Sequence, residues 1–124
     1  MIEVELNGGA DRRLEAVVTQ TLAVVGVADG HVAVSFVEEP EMRRLNHEYR
    51  ARDEPTDVLS FPVDGAGGVA GPRELGDVVI CPEQTADVAE AVVHGVLHLC
   101  GYDHETDDGE MLALQDRVMD SLER

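Results

Sequence analysis

The stretch His94-Gly95-Val96-Leu97-His98-Leu99-Cys100-Gly101-Tyr102-Asp103-His104 decides how this chain is read. It holds three of the five histidines. His94 and His98 are spaced i,i+4, so on a helix they share one face, a turn apart. Gly101 tolerates a left-handed backbone, so it can end that helix and turn the chain back. His104 then approaches the same point from another direction. Three imidazoles on one point, with a fourth position open, is the ligand set of a catalytic zinc site rather than a closed structural one. The expected cofactor is one Zn2+ per chain, held by His94, His98 and His104.

The flanking sequence supplies a frame for that site. Residues 2–6 alternate as a strand, and Leu14, Val17, Val18, Thr21, Leu22 and Val25 recur at helical spacing until Gly26. His31 to Val37 reads as a second strand. Pro40 fits the first turn of a helix with Met42, Leu45 and Tyr49 as its inward stripe. Asp57 to Phe61 reads as a third strand halted by Pro62. A glycine-rich loop from Asp64 to Pro72 follows, then a fourth strand from Leu75 to Cys81.

The histidine helix is expected to start near Thr85, with Val88, Ala91, Val92, Val96 and Leu99 in the core and His94 and His98 beside that stripe. A last helix should start near Asp107, with Glu110 completing a capping box and Met111, Leu114, Val118 and Leu122 facing inward. The helix between the first two strands permits a parallel crossover. The expectation is therefore one α+β domain over residues 1–124, with a four-stranded mixed sheet and about four helices.

Composition narrows the partners. The chain of 124 residues carries 26 acidic and 9 basic residues, all the basic ones arginine, for a net charge of -17. Such a surface repels polyanions at long range and argues against a general nucleic-acid coat, while leaving room for a locally positive site. Arg43, Arg44, Arg50, Arg52 and Arg73 are candidates for one such patch. The opening residues lack the basic start and apolar run of a signal peptide, and no apolar stretch is long enough to span a membrane. Two cysteines, Cys81 and Cys100, are read as buried thiols in a reducing compartment. Cys100 lies roughly 160° around the helix from His98 and is not expected to bind metal. The expected location is cytoplasmic, with no membrane partner.

The spacing His-x-x-x-His-x-x-Gly-x-x-His is also that of metzincin proteases. Those enzymes carry a glutamate after the first histidine as general base. Here that residue is Gly95, which exchanges no proton and is expected to leave room beside the metal. Asp103 has two readings: accepting the second N–H of a histidine ligand, or capping the turn. Arg50, at the end of its helix, also has two. It could clamp a phosphate bidentately, or it could be a surface arginine paired to Asp53 or Asp57.

With these residues in hand, the chain resembles the YbeY-type endoribonucleases, the ribosomal RNA maturation factors. Residues 94–104 match the family's His-Gly-x-Leu-His-Leu-x-Gly-Tyr-Asp-His at every specified position. Leu45-Asn46 with Tyr49-Arg50, Pro55 to Pro62, and Leu75 to Ile80 match in the expected order. The segment between Ile80 and His94 is shorter than in the family pattern. The resemblance implies zinc on His94, His98 and His104, a functional arginine at Arg50, and a zincin-like metalloprotease core.

It further implies a zinc-dependent, single-strand-specific endoribonuclease that matures the 3′ end of small-subunit ribosomal RNA. The implied partners are ribosomal RNA and the small ribosomal subunit or ribosome-associated proteins. Two other readings stay open: a zinc-stabilised ribosome-associated binding factor, and a metallohydrolase acting on small phosphoesters.

Overall fold

The computed structural model describes residues 1–63 and 73–122, so the glycine-rich Asp64–Pro72 loop lies outside the described residues. Strand β1 (Ile2–Asn7) leads through helix α1 (Leu14–Val24) to β2 (Gly30–Phe36), and α2 (Glu39–Arg50) precedes β3 (Val58–Pro62) and β4 (Glu74–Ile80). A single 3-10 turn at Pro82–Gln84 comes before α3 (Val88–Leu99), and α4 (Glu110–Leu122) completes the order. The sheet order is β1-β2-β4-β3. β1 and β4 both run parallel to β2, and β3 runs antiparallel to β4. The parallel crossover through α1 and the mixed α+β sheet are as expected.

The two faces of the sheet are covered unequally. Val18 and Leu22 of α1, Val92 and Val96 of α3, and Met111 and Val118 of α4 bury one face together with Val32, Val34, Val78 and Ile80. On the other face α2 covers only one end, where Met42 packs with Leu59, Val79 and Cys81. The part that no other described element covers carries charge. His31 bridges Glu5 on β1 (3.3 Å) and Glu74 on β4 (2.8 Å), which raises its pKa above that of a free imidazole. Opposite charges interleaved across three strands let an acidic sheet face tolerate its own carboxylates.

Several boundaries differ from the sequence reading, each for a local reason. The pairing of β2 with β4 shifts between His31 and Val32, so one extra residue of β4 is accommodated there. As a result Leu75 and Val78 both reach the same core despite their odd spacing. Pro62 does not halt β3 but pairs with Gly76. β3 is an edge strand, where a missing N–H costs no ladder bond on the outer side.

α3 begins at Val88 rather than near Thr85, because the Asp87 carboxylate accepts the Glu90 N–H and caps it there. α3 also buries Val93 and Leu97 beyond the expected stripe, being enclosed by helices as well as sheet. In the last helix Asp107 accepts from the Met111 N–H (2.9 Å), so it caps from outside a helix that starts at Glu110. The expected box with Glu110 is not formed.

α2 departs furthest from expectation. Met42 is fully buried, but Tyr49 is 60% exposed, and Asn46 takes the second inward position at 1%. The Asn46 side chain donates to the Glu54 carbonyl (2.8 Å), tying the following loop back to the helix.

Candidate metal centre

One turn of backbone sets the histidine geometry. α3 ends at Leu99 with Cys100 as its C-cap, and Gly101 follows at φ 95°. The Tyr102 N–H donates to the Leu97 carbonyl and the Gly101 N–H to the His98 carbonyl. This is a Schellman close, which only a residue free to adopt a left-handed backbone completes without strain. The Tyr102 carbonyl, fixed by that turn, then accepts from His98 Nδ1 at 2.9 Å. His94 Nδ1 donates to Gln115 Oε1 of α4 at 2.8 Å. Both partners hold the ring proton on Nδ1 and leave the Nε2 lone pairs pointing inward.

Those two lone pairs face one another. His94 Nε2 and His98 Nε2 stand 3.2 Å apart, and with His104 the ligand atoms all lie within 4.8 Å of one another. Two acceptor nitrogens at that distance repel unless a cation lies between them. Half-buried His98 has its pKa lowered, first by desolvation and then by His94, which favours the neutral, ligating imidazole. The donor set therefore fits a borderline-soft divalent ion, and these three residues could hold one.

Among the described residues, Asp103 makes no hydrogen bond to a histidine ring. Its carboxylate accepts from the Glu105 N–H (3.0 Å) and its carbonyl from Thr106 and Asp107, so it shapes the turn that carries His104. Gln115 is the orienting residue that the sequence reading missed. The signal was a polar side chain between Met111 and Val118, on the otherwise apolar stripe of α4.

Gly95 is also corrected. Its missing side chain leaves no room beside a metal: a Cβ there would lie 2.5 Å from Val78 Cγ1 and 3.2 Å from both Ser60 Oγ and Val58 Cγ2. Glycine instead lets α3 settle onto β3 and β4, where the Ser60 hydroxyl donates to the Gly95 carbonyl (2.9 Å). A glutamate would collide with the sheet, so the protease arrangement is excluded by packing as well as by chemistry.

Beside the imidazoles lies a cavity of about 890 Å3, lined by the three histidines, by β3 and by Tyr49 and Arg50 from α2. Arg50 reaches it because α2 stops immediately afterwards at Ala51, in a left-handed conformation at φ 58°. Neither suggested partner holds it. Asp53 is bound by Arg43 (2.8 Å), and the Asp57 carboxylate accepts from the Val58 N–H (2.9 Å). Among the described residues Arg50 has no ion pair, and its guanidinium is available to a ligand of the cleft.

The expected five-arginine patch does not form. Arg43 is paired with Asp53, and Arg44 with Glu41 and Glu48. Arg73 precedes β4 at the end of the sheet away from Val58, roughly 20 Å along the strand. The cysteines stay outside the centre. Cys81 is buried, and burial pushes the Cys100 thiol up to about 11.

Three imidazoles converging from a helix and its following turn, on a mixed four-stranded sheet with four helices, define an α+β protein with a zincin-like core. The chain belongs to the YbeY endoribonuclease family, whose profile, described as "Endoribonuclease YbeY", matches residues 3–123. A protein of that name from Alkalilimnicola ehrlichii is 43% identical over 128 residues, covering 89% of this chain and 74% of its own length. Another, from Salinispora tropica, is 38% identical, covering 97% of this chain and 94% of its own. The solution structure of TM1509 from Thermotoga maritima matches with a TM-score of 0.57 and 31% identity, covering 97% of this chain and 87% of that one. No helix among the described residues is long and apolar enough to cross a membrane.

Proposed function

We propose that this protein is a zinc-dependent, single-strand-specific endoribonuclease of the cytoplasm that matures the 3′ end of small-subunit ribosomal RNA. His94, His98 and His104 hold the zinc, and Arg50 is the catalytic cation. The observation that carries this reading is the pair of inward-facing Nε2 atoms 3.2 Å apart, in a cleft shared with an unpaired arginine. Family membership supplies the RNA. Zinc bound there supplies Lewis-acid chemistry, polarising a phosphoryl oxygen or acidifying water.

The chain's own residues divide the remaining work. Gln115 and the Tyr102 carbonyl keep two imidazoles in the ligating tautomer. Arg50 binds the scissile phosphate and stabilises the negative charge that grows on its oxygens in the transition state. Because Arg43 and Arg44 are already ion-paired, few cations remain to hold RNA. Free RNA should bind weakly, with a shallow dependence on salt, so the ribosomal particle or a ribosome-associated protein supplies further contacts. A slope equivalent to six or more phosphates would contradict this.

That shortage of free cations also favours one rival, a zinc-stabilised ribosome-associated binding factor without cleavage activity. Cleavage of a single-stranded RNA, assayed beside a small phosphodiester and with Arg50→Ala as control, separates the readings. RNA cleavage that depends on Arg50 supports the nuclease. Cleavage of the small diester alone supports a phosphoesterase, and no cleavage supports the binding factor. Product ends sharpen the chemistry, since attack by the substrate 2′-OH leaves a 2′,3′-cyclic phosphate and direct hydrolysis does not.

A further inference from the structure

Tyr49 sits where the helical pattern of α2 calls for a core residue, yet it is 60% exposed. Its ring meets Phe61 of β3 edge-on, with centroids 4.9 Å apart and planes at 69°. Phe61 is half-buried and anchored in the small core beneath α2, so one aromatic is fixed and holds the other upright. Both rings line the same cavity as Arg50 and the histidines. The chain has two phenylalanines, two tyrosines and no tryptophan, and three of these four aromatic residues, Tyr49, Phe61 and Tyr102, line this one cavity. Exposure of one tyrosine is ordinary by itself; here the exposed ring stands in the same cleft as Arg50 and the histidines, where its face is accessible to a ligand.

We infer that Tyr49, braced by Phe61, is a stacking platform for an unpaired base of the RNA, next to the phosphate that Arg50 binds. The inference rests on the nuclease reading above and adds to it the element that selects single strands. Tyr49 and Arg50 both line the cleft although consecutive helical residues diverge, so ring and guanidinium are offered to different parts of one ligand, as base and phosphate are parts of one nucleotide. The charge balance favours the same occupant. With -17 on the chain and Arg43 and Arg44 neutralised, affinity beyond the Arg50–phosphate contact is best supplied by contacts that are not ionic, and stacking on a π face is one. A base inside a duplex has both faces covered and offers none to Tyr49. A protein strand laid along β3 would use backbone groups instead and would leave the ring without a planar partner.

The test compares a short single-stranded oligoadenylate with an abasic ribose-phosphate chain of equal length, titrated against the full chain. The parent is expected to bind the oligoadenylate about tenfold more tightly, and Tyr49→Leu to bind both alike. Tyr49→Phe should keep the preference, since the ring face and not the hydroxyl is used. Phe61→Leu, which keeps an apolar side chain under α2, should weaken it by removing the aromatic brace. Quenching of tyrosine fluorescence by the oligoadenylate, lost in Tyr49→Phe but kept in Tyr102→Phe, gives a second readout independent of catalysis.

A parent that binds and cleaves RNA, with Tyr49→Leu keeping its preference for the base-bearing chain, overturns the platform and leaves the nuclease intact. A parent that neither binds nor cleaves RNA overturns both. Equal loss in Tyr49→Phe and Tyr49→Leu also overturns it, by assigning the role to the hydroxyl.

Discussion

The two sides of the cleft are built in opposite ways. The histidine side rests on α3, whose Val92, Val93, Val96 and Leu97 are fully buried and whose Gly95 carbonyl is held by Ser60. His98 and His94 are oriented by the Tyr102 carbonyl and the Gln115 amide, so two of the three ligands are held before any ion arrives. The arginine side ends α2, where Tyr49 and Arg50 are both exposed and only Met42 and Asn46 are buried. Its shape depends on a left-handed alanine, on the hydrogen bond from Asn46 to the Glu54 carbonyl and on the exposed Arg43–Asp53 pair. A metal site needs several ligands within tenths of an ångström, which close packing supplies. The phosphate clamp proposed for Arg50 needs reach and adjustment, which an exposed helix end supplies.

The largest effect should come from the packed side. His104→Ala is expected to lose the bound zinc and with it nuclease activity, and to melt at a lower temperature than the zinc-loaded parent, because part of the metal's binding free energy is folding free energy. Chelator should lower the melting temperature of the parent far more than that of the variant. Equal chelator sensitivity in calorimetry would mean the site is not coupled to folding, and the contrast between the two sides would fail.

Next comes the exposed side. On the role proposed for Arg50, a transition-state clamp worth about 3 kcal/mol, Arg50→Ala should slow RNA cleavage on the order of a hundredfold. Zinc content by metal analysis and melting temperature should both stay at the parent's level, since the side chain is exposed and unpaired. A rate within twofold of the parent would return Arg50 to the role of an ordinary surface residue.

Gly95→Ala probes the packing directly. Its new Cβ would overlap Val78 Cγ1, and the helix or the strand has to move to admit it. Denaturant unfolding should show a loss of about 1–3 kcal/mol. Zinc affinity should weaken as well, because His94 is the adjacent residue. A variant as stable as the parent would show that α3 has slack against the sheet.

The smallest effect, and one of opposite sign, is expected at Ala51. Glycine relieves the left-handed strain at φ 58° but adds freedom to the unfolded chain, so Ala51→Gly should gain up to about 1 kcal/mol. A measurable loss of stability would mean that the alanine methyl makes a contact worth more than the strain it carries.

The sequence alone determined the three converging histidines, the glycine turn between them and the alternation of strands and helices. Each depends on residues a few positions apart, where helical period, strand period and the freedom of Gly101 suffice. Gly95, Gln115, Tyr49 and Asn46 could not be read in the same way. Gly95 is small because of Val58, Ser60 and Val78, residues far from it in the chain. Gln115 has its role because α4 returns beside α3. Tyr49 kept the spacing of a core residue, but α2 lies over one end of the sheet only, and the helix rotates to bury Asn46 in its place. Only the tertiary structure decided which face of α2 the sheet could cover, because a helical period marks the residues that share a face and carries no information on where the neighbouring surface ends.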